Sequence, residues 1–182
     1  MNNETITIPL SKKKISLLIG LGLVMTAVAL WLIVAYDGEW SRMSQTSGKI
    51  AGFVGVVFFA AATVFGFVKL FDKRPGLLIT PEGIADNSSA VSGLFIKWQD
   101  VKNLRVEQVA TSRFLLIEVT NPEAYLSTVS GFRQKLLQLN HKTYGTPIAI
   151  ASNSLVYSFD DLVRLLQARW ALYQQSQRTP NL

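Results

Sequence analysis

Two long apolar stretches dominate the first part of the chain. Ile15 to Tyr36 and Ile50 to Val68 contain no Asp, Glu, Lys, Arg or His. A helix rises about 1.5 Å per residue, so about 20 apolar residues cross the roughly 30 Å hydrocarbon layer of a bilayer. The pattern therefore predicts an integral membrane protein with two transmembrane helices, at residues 15–36 and 50–68.

From residue 77 onward the pattern changes to short runs that are typical of β-strands. Two of them flank a Pro-Glu-Gly turn and predict a hairpin, and the later ones recur at spacings of about ten residues, as in an antiparallel sheet. The alternation in Thr5–Leu10 permits a further strand and leaves that question open. The predicted runs are Leu77–Thr80, Ile84–Asn87, Leu94–Trp98, Leu104–Val109 and Arg113–Val119.

Helical signals follow the strands. Asn121 is a good N-cap with Pro122 at the first helical position, and apolar residues continue at near-helical spacing to about Asn140, with Gly131 as a candidate break. These apolar residues are Tyr125, Val129, Phe132, Leu136 and Leu139. Residues 144–151 are expected to return to extended chain. Ser158 and Asp161 form a capping box that opens a final amphipathic helix, whose apolar face holds Phe159, Leu162, Val163, Leu166, Trp170 and Tyr173.

The predicted fold class is α+β: a transmembrane helical hairpin, then an antiparallel β-barrel or curled sheet closed by the C-terminal helix. The expected divisions are an N-terminal cytoplasmic segment at 1–14, spans at 15–36 and 50–68, an extracytoplasmic loop at 37–49, a linker at 69–76, a cytoplasmic domain at 77–176 and a frayed tail at 177–182.

Basic side chains flank both apolar stretches on their outer sides. Such clusters mark the cytoplasmic face and predict that both termini are cytoplasmic. They are also suited to contact anionic lipid head groups. A cleaved signal peptide fits poorly, because its apolar region would be about 7 to 15 residues long. The residues are Lys12, Lys13, Lys14, Lys69, Lys73 and Arg74.

Small residues recur on one face of the second span at spacings of three and four. Such a face allows close approach of another helix. The first span of the same hairpin is one candidate neighbour, and a second copy of the chain, in a homodimer, is the other. The residues are Gly48, Gly52, Gly55, Ala62 and Gly66.

The turn and packing signatures resemble those of bacterial pleckstrin-homology-like (PH-like) membrane proteins. The similar segments are Gly76-Leu-Leu-Ile-Thr80 with Glu82-Gly83-Ile84, Ile96-Lys-Trp98-Gln-Asp100-Val101, Asn121-Pro122 and Phe159-Asp-Asp-Leu162. The resemblance implies a PH-like domain in the cytoplasm, next to the inner membrane. Eukaryotic PH domains that bind phosphoinositides carry Lys and Arg on the first hairpin, whereas residues 77–87 contain neither. The resemblance therefore does not imply that ligand.

Candidate catalytic residues are few. The chain has no Cys, and its one histidine, His141, is expected in a solvated loop. Asp160 and Asp161 are better explained as helix-capping residues than as an acid–base pair, because they stand at a helix start. Trp98 and Asp100 are expected to serve as core and turn residues. The carboxylates are too scattered for a metal site, so no catalytic, cofactor or metal residue is predicted.

Charge and composition favour a binding role. From Leu77 onward ten basic residues stand against eight acidic ones, so the domain lacks the strong positive charge of a nucleic-acid-binding protein. No ionisable residue lies inside the spans, where a transport path would be expected to show one. The expected function is a non-enzymatic, membrane-tethered module that binds or scaffolds a protein partner, with anionic-lipid sensing as the alternative. Trp170 and Tyr173 could face such a partner or the core.

Overall fold

The computed structural model describes residues 4–37, 44–89, 91 and 93–178. The chain divides into two compact units. One is the helical hairpin, Lys12–Lys73, and the other joins the start of the chain to the part from Arg74 onward.

The hairpin consists of α1 (Lys12–Val34) and α2 (Gln45–Phe71). Both are long and apolar enough to cross a membrane. Only 17% and 11% of their most apolar windows are buried, unlike the core helices of soluble proteins. Helix α1 begins ahead of its predicted span but ends at Val34, short of Tyr36, whereas α2 extends beyond its predicted span at both ends. Lysine and small polar residues continue a helix without being apolar. Of the predicted loop at 37–49, residues 38–43 lie outside the described part.

The start of α2 shows why it begins ahead of the predicted Ile50. Ser44 has an extended backbone, and its side chain accepts a hydrogen bond from the Ser47 amide at 3.2 Å. This contact satisfies one of the amides that a helix start leaves unpaired. A local polar cap, and not the hydropathy, therefore sets the helix boundary.

The strands form two separate antiparallel sheets, and the described residues contain no closed barrel. The first sheet has the order β1–β2–β3–β4, and the second has the order β5–β6–β7. A 3-10 turn at Trp98–Asp100 separates β4 from β5, and β5 pairs with β6 instead. The strands are β1 (Ile6–Ile8), β2 (Leu77–Ile79), β3 (Gly83–Asp86), β4 (Leu94–Lys97), β5 (Val101–Val109), β6 (Ser112–Val119) and β7 (Ile148–Ile150).

Strand β1 answers the question that the sequence left open. Ile6 lies opposite Ile79 and Ile8 lies opposite Leu77, so the residues before α1 form the edge strand of the first sheet. Ile8 is fully buried, and Leu10 makes an isolated antiparallel bridge with Leu155. The N-terminal segment predicted as residues 1–14 is therefore part strand and part helix, and the helical hairpin interrupts a β-sheet.

Three further helices complete the fold. They are α3 (Pro122–Leu126), α4 (Gly131–Tyr144) and α5 (Phe159–Arg178). The predicted Asn121 cap is confirmed, because its side chain accepts a hydrogen bond from the Ala124 amide at 3.2 Å. The core lies between the inner faces of the two sheets and α5, where Leu162 and Leu166 are fully buried. Residues 179–182 of the predicted tail lie outside the described residues.

Helix α4 differs from its prediction in length. Gly131, the candidate break, has a φ of +64° at the start of a new helix, which runs to Tyr144 instead of Asn140. Leu137 points inward with 1% exposure, whereas Phe132 and Leu139 are 72% and 58% exposed. The predicted segment is thus divided into two helices, α3 and α4.

Candidate functional site

His141 lies in the last turn of α4 and not in the solvated loop predicted for it. Its Nδ1 is buried and has no hydrogen-bond partner in the described chain. The described residues also contain no cluster of three His, Asp or Glu side chains that could hold a metal ion. The imidazole as a whole is half-buried.

Asp160 and Asp161 each have a structural partner. Ser158 Oγ lies 2.6 Å from Asp161 Oδ2 and accepts the Asp161 amide at 3.2 Å, which confirms the predicted capping box. Arg113 donates two hydrogen bonds to Asp160, at 2.8 and 3.2 Å, and these hold the pKa of that carboxyl below its usual value. The Arg113 guanidinium also lies 4.7 Å from the centre of the Phe159 ring. The acidic pair thus fixes the start of α5.

Trp98 and Asp100 support the core, as predicted. Trp98 is 2% exposed and donates its indole N–H to the Thr80 carbonyl at 2.9 Å. The Tyr125 hydroxyl donates to Asp100 Oδ2 at 2.8 Å. Burial, assisted by this hydrogen bond to a carboxylate, raises the pKa of Tyr125 to about 12. These contacts join α3 to the turn between the two sheets.

The predicted membrane-surface lysines and arginine do not all share one environment. Lys12, Lys13, Lys73 and Arg74 are exposed, and Lys14 is half-buried. Lys69, in the last turn of α2, differs because it is buried. Its Nζ lies 3.8 Å from Asp72 Oδ2 and 5.9 Å from the centre of the Phe65 ring. This ammonium therefore has contacts at the end of α2, and its role at a membrane surface stays a prediction.

The small-residue face of α2 packs against α1. A β-carbon on Gly52 would lie 2.7 Å from the Ala29 carbonyl oxygen, and one on Gly66 would lie 2.8 Å from Ile19. Gly48 approaches the Tyr36 ring, and Gly55 approaches Ala29 in the same way. Ala62 is the exception: it is exposed, and the neighbouring Thr63 is buried in its place. The glycine face is thus occupied by its own hairpin partner.

Strand β5 presents the longest sheet edge in the described chain, and its start at Val101 precedes the predicted Leu104. Its turn to β6 has two residues, Ala110 and Thr111, so Val109 and Ser112 form the hydrogen-bonded pair that closes the hairpin. Because backbone groups alternate along a strand, Val106 and Gln108 direct their N–H and C=O groups away from β6. The described sheet has no strand on that side.

Side chains mark the same edge. Leu104 is the first residue of β5 whose backbone groups point away from β6, and its amide donates a hydrogen bond to Asn103 Oδ1 at 2.9 Å. Val106 and Val109 are each 45% exposed, although they lie in a nine-residue strand. Exposed apolar residues beside open backbone groups are features of a strand that can accept another strand. Sequence spacing indicated the strand, but edge position depends on topology and carries no local signal.

A groove lies between the start of β5 and the last turns of α5. Its volume is about 420 Å³, and its lining combines aromatic and amide side chains. Trp170 and Tyr173 are half-buried and pack against the core, while contributing to this groove. Of the two alternatives that the sequence left for these residues, the structure shows contact with the core, and contact with a partner stays a prediction. The remaining lining residues are Trp98, Gln99, Val101, Gln174, Gln177 and Arg178.

Comparison with protein-family models, with curated proteins and with solved structures finds no match for this chain. The site is therefore argued from its own geometry.

Proposed function

We propose that this protein is a two-span inner-membrane protein with a cytoplasmic PH-like domain that binds an extended segment of a protein partner. Pairing of β1 with β2 supports the topology. The two strands precede and follow the helical hairpin in the chain, and they must lie on the same side of the membrane because they pair. The chain between them therefore crosses the membrane an even number of times. The basic residues outside the spans favour the cytoplasm as that compartment.

The order of elements supports the PH-like identity. A four-stranded and a three-stranded antiparallel sheet enclose one core, and a C-terminal amphipathic helix packs on it. The antiparallel strands and the C-terminal helix agree with the β-barrel or curled sheet that the resemblance implies, although the described strands form two sheets and no closed barrel. In this proposal the transmembrane hairpin is an insertion between the first two strands of the domain.

The open edge of β5 is the observation that carries the binding role. A partner strand would receive two amide donors and two carbonyl acceptors from Val106 and Gln108, and its side chains would contact the exposed valines. Main-chain pairing of this kind supplies affinity, and neighbouring pockets supply specificity. The groove beside Trp170 and Tyr173 is such a pocket. Nothing in this function requires catalysis.

In-cell photo-crosslinking would identify the partner. A photoreactive residue at Gln108 should capture one protein in stoichiometric yield, whereas the same residue at exposed Glu82, in the β2–β3 turn, should not. Equal capture at both positions, or capture at neither, would contradict edge binding.

A proline substitution would then test the pairing itself. Val106→Pro removes an outward amide and leaves the β6 ladder intact, a position where edge strands tolerate proline. Val106→Thr keeps the amide and is the matched control. One lost hydrogen bond of about 1 to 1.5 kcal/mol predicts an approximately tenfold weaker Kd for the captured segment. Equal affinity of both variants, in protein with unchanged thermal stability, would refute the proposal.

A further inference from the structure

The outer face of α4 carries alternating apolar and cationic side chains. Phe132, Lys135, Leu139 and Lys142 follow at spacings of three, four and three residues, which places them on one stripe of the helix. All four are exposed. Phe132 and Leu139 are the large apolar residues of the stripe, and Leu137 anchors the opposite face in the protein. We call these four residues the α4 stripe.

The α4 stripe lies in a segment without negative charge. Residues 124–158 contain no Asp or Glu, while α4 also carries Arg133. Two acidic residues of the nearby sheet, Glu107 and Glu118, both pair with Arg105, at 2.6 and 3.0 Å, which offsets one of their two charges. Arg105 also donates to the Tyr144 carbonyl at the end of α4. The stripe is thus a cationic surface that complements an anionic partner.

We propose that the α4 stripe docks on anionic lipid head groups, with Phe132 and Leu139 entering the interfacial layer. Helices that lie in this layer combine Lys or Arg with Phe, Trp or Leu in the same way. A flat bilayer surface offers phosphates to the lysines and acyl chains to the apolar residues along the whole stripe. An acidic protein surface would satisfy the lysines but not the two protruding apolar side chains beside them.

This inference rests on the membrane anchoring in the proposed function. The chain enters the hairpin directly from β1, since only three residues separate Ile8 from Lys12, and it leaves the hairpin shortly before β2. Two short covalent connections keep the domain near the bilayer at high effective concentration, so a weak contact is enough for docking. A basic residue near an anionic surface favours docking about fivefold, and the two lysines together about thirtyfold.

Site-specific fluorescence would test the docking in the full chain. Because the chain contains no cysteine, Thr143→Cys provides a single attachment site beside the stripe without replacing any of its members. An environment-sensitive dye there should shift to the blue in nanodiscs containing phosphatidylglycerol, and brominated lipids should quench it. The same dye at Glu82→Cys should show neither effect. High salt should reverse the shift, because it screens surface charges.

Charge variants separate docking from anchoring. With Lys135→Gln and Lys142→Gln together, the ratio of docked to undocked protein should fall about thirtyfold, although the chain still enters the nanodisc. A dye that stays water-exposed in a chain that has entered the nanodisc would overturn the α4 inference alone. A chain that fails to enter nanodiscs would overturn the proposed anchoring. Blue shifts of equal size in purely zwitterionic nanodiscs would contradict the anionic-lipid specificity.

Discussion

Replacing Ile8 by alanine tests the central topological feature of this protein. Ile8 lies in the three-residue strand β1, opposite Leu77, and its side chain is fully buried in the domain core. The strand precedes α1, and the rest of its sheet follows α2. A local defect at residue 8 should therefore destabilise strand pairing at residue 77 and beyond.

The expected cost is about 3 kcal/mol, because removing a buried Ile side chain to Ala costs 2–5 kcal/mol when the cavity cannot collapse. This is less than the 5–15 kcal/mol of a typical domain, so the variant should remain folded. Hydrogen exchange of the full chain in nanodiscs measures the effect. Amides of β2, Leu77–Ile79, should exchange about 100-fold faster, since each 1.4 kcal/mol is a factor of ten.

Thr7→Ala is the matched control. Thr7 lies in the same strand, opposite Leu78, but its side chain is exposed, so its loss should change stability by less than about 0.5 kcal/mol. Equal exchange rates of β2 in the two variants would show that β1 is not part of the sheet. The topological argument for an even number of crossings would then fail as well.

Three further outcomes are expected. Gly52→Leu should lower the melting temperature of the hairpin in detergent, because a β-carbon there meets the facing helix, whereas Gly20→Leu should not, because Gly20 has open space; equal melting would refute the packing. The pKa of Tyr125 is raised to about 12. Its contribution to the free energy of unfolding is therefore complete below pH 10 and is lost as the pH rises from about 10 to about 12. Two pKa units correspond to about 2.7 kcal/mol, which partial screening reduces to about 1–2 kcal/mol. Urea titrations at pH 9 and pH 12 should show a smaller pH-dependent loss for Tyr125→Phe than for the wild type. Arg113 lowers the pKa of Asp160 in the folded protein. The Asp160 carboxylate therefore contributes to the free energy of unfolding above the pKa that it has in the unfolded chain, and this contribution is lost as the pH falls through the lower pKa of the folded state. Asp160→Asn should flatten acid unfolding curves below pH 4, and an unchanged curve would show that the ion pair contributes nothing measurable.

Local signals predicted the elements with short-range causes. The Asn121 cap and the Ser158 capping box act within three residues, so sequence alone located the starts of α3 and α5. The hairpin of β2 and β3 followed equally from its Pro-Glu-Gly turn. In each case the residues that determine the structure are adjacent in the chain.

Long-range relations could not be predicted in this way. The pairing of Ile6 with Ile79 joins residues separated by the whole helical hairpin, and alternation in Thr5–Leu10 showed only that a strand was possible. The edge position of β5 likewise depends on which strands pair, since β5 itself has an ordinary strand pattern. Two separate sheets and a closed barrel have the same local sequence signature.

Helix α4 shows both a local signal that predicted the helix and side-chain exposure that depends on the tertiary structure. Its apolar spacing predicted a helix with Gly131 as a candidate break, and a new helix starts at the positive φ of Gly131. Phe132 and Leu139 are 72% and 58% exposed on this helix. Their exposure beside two lysines, in a chain with two helices that can span a membrane, is the observation on which the proposed lipid contact rests.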